Sequence, residues 1–203
     1  MTNATGPSNP IADTLAALWS PLLAITTHHQ SRTNGLVAAT GVFASLVPEA
    51  PRVVIELTKA SLTHDLVLAS RVFALHLLPA TPDAALVSSL ALVHTLGMRS
   101  GHDGDKMAGI AARPGVTGSP ILADALTYVE ARVVATLDGD ELTLFLADVV
   151  EGGRFRDGDP LTLGVLRTHL SKDWLAEWAT SRDRLISAAR RRRGLAAATN
   201  RLS

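Results

Sequence analysis

Cysteine is absent from the 203 residues. That absence excludes disulfides, thiolate metal sites, iron–sulfur clusters and a thiol nucleophile together. Net charge is absent as well, since 19 Lys and Arg balance 19 Asp and Glu. A surface built to coat nucleic acid or an anionic membrane carries a basic excess, so neither is expected as a partner. No apolar run approaches the roughly 20 residues of a membrane span. The first ten residues are polar, with no basic stretch leading into an apolar one, so no signal peptide is expected. A soluble cytoplasmic protein is the resulting expectation.

Several motifs are missing too. Neither G-x-G-x-x-G nor G-x-x-x-x-G-K-[ST] occurs, and there is no G-x-S-x-G nucleophile elbow. The seven His are scattered, without H-E-x-x-H or a two-His-plus-carboxylate cluster, so no metal site is expected. Asp103 and Asp105 alternate like the opening of a Ca²⁺ loop, but its closing Glu is lacking. His64 and His76 fall within expected secondary structure and read as packed or hydrogen-bonded side chains. His94 either faces a site or closes its helix.

What remains is a chain that can fold. Apolar residues make up 47% and charged residues 19%, enough for a sizeable core. The length suits one domain with an extension. Residues 1–10 read as a flexible leader, 11–170 as the domain, and 171–203 as a helical extension. Pro10 opens a short helix through Ile11, Leu15 and Trp19, which Ser20-Pro21 ends.

Strand-length runs rich in Val, Ala, Ile and Thr follow over 22–27, 35–47, 52–58 and 72–78. Tyr128, Glu130 and Arg132 alternate with Val129, Ala131 and Val133, the period of a half-buried strand. Asp138-Gly139-Asp140 then turns that strand into another over 142–150. Helices are expected from Leu62 to Ser70, capped by Ser61, and after Thr81-Pro82-Asp83. In the second, Leu86, Leu90, Val93 and Leu96 keep one stripe. Residues 101–104 and 113–120 read as loops, and 172–193 as a C-terminal helix. Strands and helices do not alternate strictly, which favours a mainly antiparallel barrel decorated with helices over a doubly wound sheet.

Two segments bear on ligand chemistry. Thr58-Lys59-Ala60-Ser61-Leu62-Thr63 joins a strand end to a helix start. Such a junction offers free backbone N–H groups and the positive end of a helix dipole. Lys59 would add charge, and Thr58, Ser61 and Thr63 hydroxyls, so an oxyanion fits. Equally, Ser61 is a plain helix cap and Lys59 a solvated loop residue. The segment 34–41 has small residues, including Ala39, Thr40 and Gly41, that let a backbone approach a flat ligand. Read plainly, it is a buried strand behind the Asn34-Gly35 turn. Arg99 and Lys106 flank a polar loop and are further cations for an anionic ligand. The run Arg190 to Arg193 complements a helix dipole and stays in water. With no nucleophile, acid–base pair or metal cluster, chemistry here would belong to a bound cofactor.

The order of these motifs resembles the FMN-binding split-barrel family of the flavin reductase type. The resemblance rests on Ile25-Thr26-Thr27, Asn34-Gly35, Ala38-Ala39-Thr40, Pro51 and Lys59-Ala60-Ser61-Leu62-Thr63-His64. It continues through 71–78, Asp105-Lys106-Met107-Ala108-Gly109, Gly118-Ser119-Pro120, Glu130-Ala131-Arg132, 144–149 and Pro160-Leu161. It implies a split β-barrel of antiparallel, Greek-key type with N- and C-terminal helices. It also implies a homodimer that binds FMN, with FAD or a deazaflavin as variants. By similarity, Asn34, Ala39, Thr40 and Gly41 line the flavin. Thr58, Lys59, Ser61 and Thr63 surround the phosphate, with Arg99 or Lys106 adding charge. The implied activity is NAD(P)H-dependent FMN reduction, with oxygen or a partner monooxygenase receiving the electrons. The alternative is a non-catalytic flavin carrier or sensor.

Overall fold

The computed structural model describes residues 21–195. The expected leader and the helix expected from Ile11 to Trp19 lie outside the described residues. In chain order the elements are β1 (Leu23–His29), β2 (Arg32–Ala38), β3 (Gly41–Phe43), β4 (Arg52–Thr58), α1 (Leu62–Ser70), β5 (Val72–Leu77) and α2 (Asp83–Leu92). A π-helical segment over Val93–Met98 follows, then β6 (Ala112–Pro114), β7 (Pro120–Leu122), β8 (Thr127–Asp138) and β9 (Leu142–Arg154). The chain ends in α3 (Leu163–Thr168) and α4 (Lys172–Arg192).

Seven strands form one sheet in the order β2–β1–β5–β8–β9–β4–β3, and β6 pairs with β7 separately. Every pairing is antiparallel. Side chains from distant strands of the large sheet meet in one core: Leu23 and Ile25 of β1, Ile55 and Leu57 of β4, Phe73 of β5, and Phe145 of β9. A flat sheet could not bring β1 and β4 together, so the sheet curls. Burying each such side chain contributes about 1.5–3 kcal/mol, which stabilises the curl. The far edge comes round far enough that a Cβ on Gly41 of β3 would lie 2.4 Å from Leu23 Cδ1. No ladder joins β2 to β3 among the described residues. The barrel is therefore split along that seam.

α1 carries the chain from β4 to β5, which are not neighbours in the sheet. It starts where Ser61 Oγ accepts from the His64 amide at 3.2 Å. It stops at Arg71, left-handed at φ 61°, whose amide bonds Val67 O. Val67 is fully buried in the inner core. The other face of β1 and β5 takes α2 and the π-helical segment. There Leu86, Leu92, Val93 and Leu96 pack on Leu22, Ala24 and Leu78.

The structure changes several expected elements. The single strand expected over 35–47 is two, since β2 ends at Ala38 and β3 begins at Gly41. The α2 stripe is right in its residues, but the helix widens into a π turn at Val93. The loop expected over 113–120 is pinned at both ends as the β6–β7 pair. Among the described residues no helix is long and apolar enough to cross a membrane.

Candidate functional site

β2, the first turn of α1 and the loop after the π-helical segment converge on Asn34. Asn34 is 1% exposed, and its Nδ2 donates to Thr63 Oγ1 at 3.2 Å. The loop closes over it at Gly101, where a Cβ would fall 2.3 Å from Asn34 Nδ2. Only a glycine permits that approach. Beside Asn34 lies an open cleft of about 310 Å³, lined by Arg32, Thr33, Leu62, Gly101, His102 and Asp105 among others. Because Ser61 caps through His64 alone, the Leu62 and Thr63 amides at the start of α1 have no acceptor among the described residues. Two free amides at a helix N-terminus, next to a cleft, form an anion-binding arrangement.

The remaining expected residues divide between shaping this corner and facing away from it. Ser61 does act as a cap, and its hydroxyl donates to Thr58 O at 2.9 Å. Thr58 Oγ1 accepts from the Ala60 amide at 3.3 Å, tightening the same turn. The Lys59 ammonium is ion-paired with the Asp138 carboxylate on the β8–β9 hairpin. Its backbone is tied there too, with the Lys59 amide bonding Glu141 O at 3.0 Å. Lys106 is buried, and its Nζ donates to Leu96 O at 2.8 Å, closing the π-helical segment. Burial holds that ammonium down at about 8, because desolvation disfavours its charge. Arg99 stands exposed where the π-helical segment ends.

Ala39 and Thr40 form the exposed step between β2 and β3, and Gly41 opens β3 against Leu23. Ala38 and Ala39 also border a second cavity of about 240 Å³. Opposite them stand Trp178, Arg182 and Leu185 of α4. The structure thus joins Asn34, Thr63, Ser61 and Thr58 in one corner, and places Ala39 to Gly41 at the other end of β2.

Three histidines are fixed by their neighbours. His64 Nε2 meets Thr143 Oγ1 at 3.0 Å. His76 Nδ1 donates to Ala24 O, and its Nε2 accepts from the Leu122 amide, both at 3.1 Å. That pattern requires the neutral ring, and burial lowers its pKa to about 4. His94 pairs with Glu177 at 3.0 Å and packs edge-on against Trp174. The arginine run closes the last turn of α4, as its charge suits, and Arg191 to Arg193 are exposed; two of them also make surface contacts, Arg192 donating to Lys59 O at 3.2 Å and Arg193 pairing with Glu141 at 3.6 Å.

Sequence reasoning missed the closure at Gly101, the cleft wall at Leu62 and His102, and the part taken by α4. Of these only Gly101 left a local signal, as a small residue in a polar loop. Also missed was the buried Glu130 carboxylate, which accepts from the Val116 and Thr117 amides at 2.9 and 2.8 Å and from Thr117 Oγ1 at 2.6 Å. It anchors the β6–β7 connection onto β8.

Comparison with known proteins agrees with this architecture. A family model described as the flavin reductase like domain matches residues 15–170. The high molecular weight rubredoxin of Moorella thermoacetica is 32% identical over 142 residues, 70% of this chain and 58% of that protein. The chain therefore spans little more than half the length of that relative. The ferric-chelate reductase (NAD(P)H) of Archaeoglobus fulgidus is 28% identical over 142 residues, 70% of this chain and 79% of that one. Among solved structures, nitrilotriacetate monooxygenase component B from Mycobacterium thermoresistibile superposes with a TM-score of 0.63 at 25% identity, covering 73% of this chain and 78% of that one.

Proposed function

The chain belongs to the flavin reductase-like family, and from that premise we propose that it binds FMN and transfers hydride to it from NADH or NADPH. The observation that carries this reading is the open first turn of α1 beside Asn34 and the 310 Å³ cleft. The residues present fit the cofactor at both ends. At one end, the Leu62 and Thr63 amides and the Thr63 hydroxyl, whose oxygen accepts from Asn34 and whose proton has no acceptor among the described residues, suit a phosphate, with Lys59 within the same turn. At the other, Ala39, Thr40 and Gly41 carry only small side chains of their own, which lets a flat ring come close to their backbone. FAD shares that phosphate and ring chemistry.

Bound flavin supplies the hydride acceptor. The chain's part is to hold the phosphate, keep one ring face open and exclude water from the other. The electrons would pass on to an acceptor, and the likeness to a monooxygenase component B supports a monooxygenase in that role.

A second copy of this chain fits the outer face of the sheet. Val42, Val54, Leu146 and Ala135 lie in register across four strands, with Leu144 and Leu137 beside them. Val42 is 61% and Leu137 66% exposed, an apolar face of the kind that association covers.

The deciding experiment is anaerobic. Protein loaded with FMN is mixed with NADH, then NADPH, and the flavin absorbance is followed. Bleaching by either nucleotide is expected. Flavin uptake with no bleaching by either would leave a carrier rather than a reductase.

A further inference from the structure

The family match ends at residue 170, and α4 lies beyond it. The helix starts at Ser171, whose Oγ accepts from the Trp174 amide at 3.1 Å. Its first turns sit on the π-helical segment, where Trp174 packs on His94 with ring centres 5.3 Å apart. Its last turn reaches the phosphate corner through Arg192 and the Lys59 carbonyl. Between those two anchor points it passes Ala38 and Ala39 and encloses the 240 Å³ cavity.

Trp178, Arg182 and Leu185 are spaced at i, i+4 and i+7, so they share one stripe of α4. That stripe forms the cavity wall opposite Ala38 and Ala39. The lining is carbon apart from Ser181 and one cation, Arg182. The Arg182 guanidinium makes no hydrogen bond or ion pair among the described residues, although Asp183 follows it directly on the helix. A free guanidinium at the edge of an apolar slot matches a flat ring that carries a phosphate, because the planar fork of Arg binds phosphate through two N–H groups. The slot also shares Ala39 with the surface assigned above to the flavin ring.

We propose that α4 completes the site for the reduced nicotinamide nucleotide: Trp178 covers its ring and Arg182 holds one of its phosphates. This rests on the reductase reading, and it makes an element outside the family domain decide substrate affinity.

The test uses full-length protein loaded with FMN. Oxidised NAD⁺ and NADP⁺ have no hydride to give to oxidised flavin, so calorimetry reads binding without turnover. Arg182→Ala is expected to weaken nucleotide binding about tenfold or more, the scale of one charge-assisted contact. FMN affinity stays unchanged, and Arg182→Lys recovers part of the loss. Trp178→Ala raises KM for the reduced nucleotide while kcat holds. Equal losses for NAD⁺ and NADP⁺ assign Arg182 to the pyrophosphate, and a loss confined to NADP⁺ assigns it to the 2′-phosphate. Unchanged nucleotide binding in Arg182→Ala overturns the proposal. So does weakened FMN binding with nucleotide affinity intact, because the cavity would then belong to the flavin. Arg182 is exposed, so its variants keep the test open if Trp178→Ala does not fold. Wild-type FMN uptake and bleaching are measured first. Failure there concerns the reductase reading, whereas success there with unaffected variants sinks only the role of α4.

Discussion

Replacing Asp138 with Asn should tighten FMN binding, because in the proposed site Asp138 would compete with the phosphate for Lys59. The Lys59 side chain is 19% exposed and that of Asp138 is 76% exposed. An ion pair with one partner so open contributes about 0.2–1 kcal/mol. Releasing Lys59 from it therefore improves phosphate binding by at most about fivefold, taking 1.4 kcal/mol as tenfold. Lys59→Ala removes the cation itself and should weaken FMN binding about tenfold. Asn keeps the side-chain shape at the start of the Asp-Gly turn, so the hairpin persists. The assay is quenching of flavin fluorescence on titration with protein. Riboflavin, which lacks the phosphate, is the control, and its affinity should ignore both substitutions. The gain from Asp138→Asn should also fade in high salt, where screening shortens to about 3 Å at 1 M. Weaker FMN binding in Asp138→Asn would refute the competition. An equal response from riboflavin would refute the phosphate assignment.

Two further expectations concern the scaffold. Glu130→Gln keeps one acceptor oxygen but turns an amide N–H₂ toward the Val116 or Thr117 amide, so a donor faces a donor. A loss of about 2–4 kcal/mol is expected, or a fall in Tm of roughly 5–15 °C for a domain of this size. A change in Tm within error would show that the carboxylate does not anchor the hairpin. His76 should make the fold acid-sensitive. Its native pKa of about 4 lies below the ordinary 6.5, so the unfolded chain binds the extra proton first. Its contribution is fully present above pH 6.5 and falls by about 3 kcal/mol as pH drops toward 4. Urea unfolding at pH 7 and pH 5 measures the slope, and a slope unchanged in His76→Gln would remove His76 as its source.

Some of this was legible in the sequence because the signals are local. β4 and α1 follow from a β-branched run and a Ser cap, and β8–β9 from an Asp-Gly turn. The break between β2 and β3 was not legible. Ala38-Ala39-Thr40 contains no breaker, and the chain steps there because Gly41 must seat against Leu23 on a strand it does not pair with. The π turn at Val93 is equally silent, since its apolar stripe suits an ordinary helix. In the candidate site the residue types were readable, but their partners were not. Asn34 meets Thr63 across 29 residues of chain, and Lys59 meets Asp138 across 79. Arg190 to Arg193 read correctly as the solvated end of a helix, but their surface partners, Glu141 and the Lys59 carbonyl, lie in turns far off in sequence and were not legible.

The seat of α4 shows why an added helix can serve a site without being locked onto it. None of its 21 residues is buried. Its polar attachments include the Arg192 bond to the Lys59 carbonyl and two exposed pairs, His94 to Glu177 and Arg193 to Glu141, the pairs worth about 0.2–1 kcal/mol each. Its hold therefore comes chiefly from Trp174 and Trp178 packing against the cluster around Leu96 and Leu166. Even that packing is compromised. The Trp174 indole nitrogen is buried with no hydrogen-bond partner among the described residues, an arrangement that costs about 1–3 kcal/mol. A helix with no buried residue, held by two partly buried rings and exposed polar contacts among the described residues, is a lightly anchored element. A ligand that stacks on Trp178 and pairs with Arg182 would add to that anchoring, so filling the cavity and docking α4 would reinforce each other.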